Sequence, residues 1–175
     1  MASRIRSEQI LGEARWMRRL LRAYDAVQCP EEPAPQPRPV SVDRIAAEVV
    51  AALRLGGDAT VTLRAEQAWA DVEELDLWRA LRNVVDNAVR AAGEHGTVAV
   101  QVYLDDGWAV TEVDDDGPGF GAGPPGLASL GLGIVRDFTD GSGGSLQIGQ
   151  SRLGGSLVQI RLPAAPAPTP GPGWG

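Results

Sequence analysis

Residues 82–92 read RNVVDNAVRAA. They close a helical run over 73–92 in which Trp78, Leu81, Val85, Ala88 and Ala92 recur on one face. At about 100° per residue, Asn83, Asn87 and Arg90 fall within about 60° of one another on the opposite face. Two carboxamides and a guanidinium therefore share one polar stripe. Carboxamide oxygens are hard ligands suited to magnesium, and a neighbouring cation suits phosphate. Taken alone, the stripe is more simply a solvated helix face.

Two later segments change that balance. Asp115 follows Asn87 by 28 residues within VDDDGPGF (113–120), and Gly131 comes 16 residues later in GLGIV (131–135). The first is a strand ending in three carboxylates, then Gly117-Pro118-Gly119. A carboxylate there can accept from an exocyclic amine, and glycines let a flat ring approach. An acidic turn is the plainer alternative; a calcium loop would need a terminal Glu that is missing. GLGIV is predicted to open a helix, whose free amides and dipole would favour phosphate. A flexible hinge is the alternative. There is no lysine in the chain, so a P-loop is excluded. A fourth segment, Gly154-Gly155-Ser156, reads as a turn whose hydroxyl could reach a base. Helix, strand end and helix start in this order describe a pocket for a magnesium-bound nucleotide.

The surrounding pattern places these segments in an α+β two-layer sandwich. Ser41 or Asp43 offers an N-cap to a helix running to Leu53. Strands are predicted at 59–65 and 68–72, with a Gly-Gly-Asp turn at 56–58. Hairpins are predicted at 97–104 with 108–114, and at 145–150 with 156–162. A helix is expected from about Gly131 to Asp140. The result is a mixed, largely antiparallel sheet with helices on one face over 41–163. Before it come one long helix over 3–28 and a proline-rich linker over 29–40. The proline-rich tail over 164–175 should be disordered.

Charge and composition bound the rest. The net charge is −7 over 175 residues, but residues 1–28 hold six Arg against Glu8, Glu13 and Asp25, so the body carries −10. That excludes a basic nucleic-acid-binding face on the body. All 16 cationic residues are Arg, which we read as codon bias. In the first helix Ile10, Ala14, Met17, Leu21 and Tyr24 form a heptad seam. The seam needs a packing partner, either its own domain or a bundle or homodimer. Cys29 is the single cysteine, so no internal disulfide forms. No apolar run is long enough to span a membrane and no signal-peptide core is present, so a cytoplasmic location is expected. His95 is the only histidine and sits in a Gly-Glu-His-Gly turn.

These motifs resemble the ATP-binding fold shared by gyrase-type topoisomerases, heat-shock chaperones, histidine kinases and mismatch-repair proteins. LRNVVDNAVRAA resembles the N box, DDDGPGF the first glycine box, GLGIV the second and GGS the third. The nearest likeness is to sensor histidine kinases, and EARWMRRLLRAYD (13–25) is similar to the second helix of their dimerisation hairpin. The resemblance implies ATP and Mg2+ as ligands and a phosphoacceptor or response-regulator protein as partner. It implies that Asn87 ligates magnesium and Asn83 supports it near the phosphates. Arg90 stands where the family usually has Lys. Asp115 would bind the adenine amine, with Gly117 and Gly119 shaping the pocket. Gly131, Leu132 and Gly133 form the phosphate segment, the two glycines through their backbone, and Ser156 replaces a usual Thr near adenine. ATP-hydrolysing members and anti-sigma serine kinases carry a general-base Glu where this chain has Asn83. That favours the histidine-kinase branch over a serine kinase; an ATP-gated interaction module without transfer stays as the other alternative. The chain departs from the pattern in lacking the phosphoacceptor helix. It also departs in a short lid (121–130) without a cation or second Phe.

Overall fold

The computed structural model describes residues 37–54, 59–119 and 127–168, with side chains of the last segment from Gly131 onward. All belong to the second of the chain's two units, Pro37–Gly175. The expected helix over 3–28, most of the linker, the turn at 56–58, the residues from Phe120 to Gly126 and the end of the tail lie outside the described residues.

A short strand, β1 (Arg38–Ser41), starts the domain. The linker was expected to reach residue 40, yet its last residues pair antiparallel with β3 (Trp69–Val72) in a separate two-stranded sheet. A strand outside the main sheet tolerates Pro39, which has no amide to donate. Helix α1 (Val42–Arg54) follows directly. Of the two candidate caps, Ser41 does the work: its Oγ accepts from the amide of Arg44 at 3.3 Å. Asp43 instead accepts from the Ala68 amide at 3.2 Å, bracing the helix start against β3.

The main sheet has the order β2-β4-β5-β7-β6. Its strands are β2 (Thr60–Ala65), β4 (Thr97–Asp105), β5 (Trp108–Asp115), β6 (Ser145–Gln150) and β7 (Ser156–Pro163). Only β2 and β4 run parallel; the other pairs are antiparallel. A parallel pair needs a crossover, and α2 (Glu74–Ala92) supplies it. Helix α2 packs on β4 and β5 between α1 and α3 (Leu127–Gly141). Its Leu77, Ala80, Leu81, Val84, Val85 and Ala88 are buried at helical spacing. Val98, Val100 and Val102 of β4 meet them at strand spacing. Each Leu or Val among them contributes about 1.5–3 kcal/mol when fully buried. Glu74 and Asp76 in the first turn of α2 complement its dipole. Gly93 closes it at φ 73°, donating to Val89.

On the sheet face away from the helices, Tyr103 Oη and Gln159 Nε2 donate to one oxygen of Glu112, at 3.0 and 2.8 Å. Burial, then the bond to Glu112, raises the Tyr103 pKa above its ordinary value. His95 is exposed in its turn at φ 64°. Among the described residues no helix is long and apolar enough to cross a membrane.

Candidate functional site

Helix α2 carries Asn83, Asn87 and Arg90 on the stripe the sequence predicts. Asn83 and Asn87 are half-buried, whereas Arg90 is exposed and pairs with Asp86 one turn back at 2.6 Å. The guanidinium is thus engaged on its own helix. A surface pair of this kind contributes little to stability, so it can be exchanged for another anion.

Gly131 lies against this stripe. A Cβ built there would stand 3.1 Å from Asn87 Nδ2 and 3.6 Å from Asn83 Oδ1. The missing side chain lets α3 approach α2 closely. Asn87 Nδ2 is buried and has no partner among the described residues. A buried unpaired amide costs about 1–3 kcal/mol, so its retention marks a group kept for something else.

One expectation is corrected here. The third helix begins at Leu127, four residues before Gly131. Gly131 and Gly133 are therefore its fifth and seventh residues, beyond the free amides of a helix's first turn. Leu132 packs against the hydrophobic core.

Asp115 ends β5 and is only 4% exposed. Its Oδ1 accepts from two backbone amides, Gly117 at 2.9 Å and Ser156 at 3.1 Å. Its own carbonyl accepts from Gly155 at 3.0 Å. Ser156 thus meets the carboxylate with its amide, where sequence reasoning looked to its hydroxyl. Glycine is enforced on both sides. A Cβ at Gly117 would be 2.6 Å from the Ala91 carbonyl oxygen. A Cβ at Gly155 would overlap Asp115 Oδ1 and lie 2.6 Å from the Asp115 carbonyl oxygen and from the Gly117 nitrogen. Sequence reasoning gave Gly155 only a turn; the signal for more was its place directly before Ser156. Gly119, at φ 87°, faces open space beside a cleft of about 470 Å³ lined by Pro118, Ile148, Gly149, Gln150, Gly154 and Gly155.

The structure therefore makes two clusters. Asn83 and Asn87 meet Gly131; Asp115 meets Gly117 and Ser156. The contact of Gly117 with Ala91, one turn beyond Asn87, joins them.

A buried carboxylate behind a glycine-walled cleft, near a carboxamide whose buried nitrogen has no partner among the described residues, on a two-layer α/β scaffold, defines a histidine-kinase-type ATP-binding domain. The chain belongs to the histidine kinase-, DNA gyrase B- and HSP90-like ATPase family, whose model matches residues 72–166. It is 36% identical over 102 residues to the sensor protein kinase CarS of Pseudomonas aeruginosa, covering 50% of this chain and 22% of that protein. It is also 36% identical over 105 residues to the sensor histidine kinase GtrS of the same organism, covering 51% and 21%. The chain thus spans about a fifth of the length of these relatives. The mycobacterial sensor histidine kinase MprB superposes with a TM-score of 0.66 at 25% identity, over 75% of this chain and 99% of that one. The ATP-binding domain of PrrB from Mycobacterium tuberculosis shares the fold, with a TM-score of 0.63 at 22% identity over 76% and 100%.

Proposed function

We propose that this domain binds Mg–ATP and donates the γ-phosphoryl group to a histidine on another chain or on a segment outside this sequence, from which a response regulator takes it. The observation that carries the reading is the buried Asp115 carboxylate, oriented by two amides and lying against Gly155, which lines a cleft. Such a carboxylate is an acceptor in search of a donor, and the adenine amine is one.

Asp115 Oδ2 would take that amine, with Gly117 and Gly119 giving the base its approach. Asn87 would place a carboxamide oxygen on the magnesium, with Asn83 beside it. The partnerless Asn87 Nδ2 is a donor that would suit a phosphate oxygen, leaving Oδ1 for the ion. Among the described residues no three His, Cys, Asp or Glu side chains cluster as metal ligands, so the ion would depend on carboxamide oxygen and phosphates. Magnesium would neutralise phosphate charge and hold the oxygens in line. Arg90 would release Asp86 to meet a phosphate. Gly131 and Gly133 would reach phosphates only if the first turn of α3 gave way. In the transfer, an imidazole nitrogen of the acceptor bonds to the γ-phosphorus, and the bond to the β–γ bridging oxygen breaks. ADP leaves with that electron pair. Asn83 cannot remove a proton, which suits an imidazole nucleophile better than a serine.

Helix 3–28 would pair two copies of the chain, and the domain would work in the cytoplasm, where its substrate is. A second reading, an ATP-gated interaction module without transfer, is supported by the engagement of Arg90 with Asp86. Incubation with γ-labelled ATP and candidate acceptors tests both. Label stable to base and lost in acid supports the kinase. Label lost in base and stable in acid points to a serine kinase. ATP binding without label supports the module, and no binding at all overturns every nucleotide reading.

A further inference from the structure

We infer that β6 is a pairing edge for a second copy of this chain: two β6 strands meet antiparallel about a two-fold axis at Ile148, joining the main sheets of both copies. The inference does not depend on the nucleotide reading.

The main sheet ends in β2 on one side and β6 on the other. A free edge exposes main-chain donors and acceptors that invite another strand, and proteins blunt it with charge or proline. Edge β2 is blunted. The Thr60 amide donates towards β4, to Gly96 at 2.8 Å, so the next residue, Val61, turns its main-chain groups outward. There Arg54 Nε donates to the Val61 carbonyl at 2.8 Å, and Arg64 stands exposed on the same strand. Edge β6 has no such device: it reads Ser-Leu-Gln-Ile-Gly-Gln, without charge or proline.

The hairpin fixes which groups of β6 face outward. The Ser151 amide donates to the Gly155 carbonyl at 2.9 Å, which makes these two a hydrogen-bonded pair. Bonded and non-bonded pairs alternate along an antiparallel ladder. In the register that sets Gln150 opposite Ser156, the residues bonded to β7 are therefore Ser145, Gln147 and Gly149. Leu146, Ile148 and Gln150 turn their N–H and C=O groups away from the sheet. The Ser156 amide agrees, since it points away from β6 to Asp115 at 3.1 Å. No side chain among the described residues caps the outward groups.

An axis at Ile148 uses all of them. Ile148 meets its own counterpart and Leu146 meets Gln150, each pair exchanging both of its bonds. A β-branched pair lies at the centre, and no like charges are opposed. Gln147 falls opposite Gly149, which has no side chain to obstruct it. Exposed Asp140 precedes the strand and exposed Arg152 follows it, so antiparallel pairing sets an acidic end beside a basic one. An axis at Gln147 would instead set Gln150 against Gly144, whose amide already donates to the Thr139 carbonyl at 2.8 Å. So short an edge buries well below the roughly 1,200–2,000 Å² of a stable interface. The association is therefore weak, and it is best detected by trapping.

The test uses the full chain with Cys29→Ser, which removes its single cysteine, and adds either Ile148→Cys or Gln147→Cys. A bonded antiparallel pair holds its Cα atoms about 5.5 Å apart. That suits a disulfide, whereas the two 147 positions would be offset along the strands beyond the reach of about 7 Å. Under mild oxidation Ile148→Cys should give at least about fivefold more cross-linked dimer than Gln147→Cys. Random collision would favour position 147, which is the more exposed. Equal or greater cross-linking at 147 overturns the inference. The parent supplies a second readout that needs no substitution. Amide hydrogen exchange at Leu146, Ile148 and Gln150 should slow about threefold or more from dilute to concentrated protein, while Gln147 and Gly149 stay constant. Exchange at Ile148 that does not respond to concentration overturns the inference, and so does a dimer that forms without protecting it.

Discussion

Gly131 of α3 sits against Asn87 of α2, so that a Cβ at 131 would stand 3.1 Å from Nδ2. That separation is tighter than ordinary van der Waals contact. Ala at this helical position would also gain about 1 kcal/mol of helix propensity over Gly. Gly131→Ala should therefore leave the melting temperature unchanged or raise it, while weakening Mg–ATP binding about tenfold by crowding the carboxamide. Thermal melts beside titrations check this, and unchanged affinity would remove Gly131 from the site.

Asn87 is expected to trade stability for function. Its buried Nδ2 lacks a partner among the described residues. Asn87→Ala should leave the ligand-free domain as stable as the parent, or more stable by about 1 kcal/mol, since the unpaired amide and a poor helix former both go. It should also abolish the magnesium dependence of ATP binding. Denaturant melts and titrations with and without magnesium report the two effects. Equal affinity of the parent in both conditions would contradict the ligand role.

Asp115→Asn should weaken ATP binding by about 1.5–3 kcal/mol, the usual contribution of a hydrogen bond to a charged group. That is roughly 10- to 150-fold in Kd. Both backbone amides can still bond Oδ1, so the fold should survive. An unchanged Kd would refute the adenine assignment.

Tyr103 gives a pH signature remote from the nucleotide. Its folded pKa is raised above that of the unfolded chain, chiefly by burial and then by the bond to Glu112. The folded state therefore holds the phenolic proton more tightly. The associated stability is complete below the unfolded pKa of about 10 and is lost as pH rises through the folded value. Urea melts between pH 8 and pH 11 should show stability falling above about pH 10. Tyr103→Phe should flatten that fall; an unaltered slope would assign it to another group.

The legible parts of the sequence were those written in side-chain periodicity. Apolar spacing placed α2 and its polar stripe, and alternation placed both hairpins. The carboxylates ahead of Gly117 placed the end of β5. What escaped was written in the main chain. Two amides converge on Asp115, and no residue type announces an amide. Ser156 suggested its hydroxyl because only the hydroxyl distinguishes serine. The start of α3 was misplaced because Gly131 and Gly133 look like a boundary; Gly131 instead serves helix–helix approach. Strand β1 was hidden among prolines, which its place outside the main sheet tolerates.

Helix α2 is also the crossover that makes β2 and β4 parallel. The exposed turn at 93–95 therefore divides the domain unequally in a useful sense. A chain severed there would put Asn83 and Asn87 on one fragment and Asp115, Gly131 and Ser156 on the other. Neither fragment could form the pocket, and each would lack the partner for a row of strand hydrogen bonds. Under the proposed assignment of the site, nucleotide capture by the rejoined halves would signal their meeting.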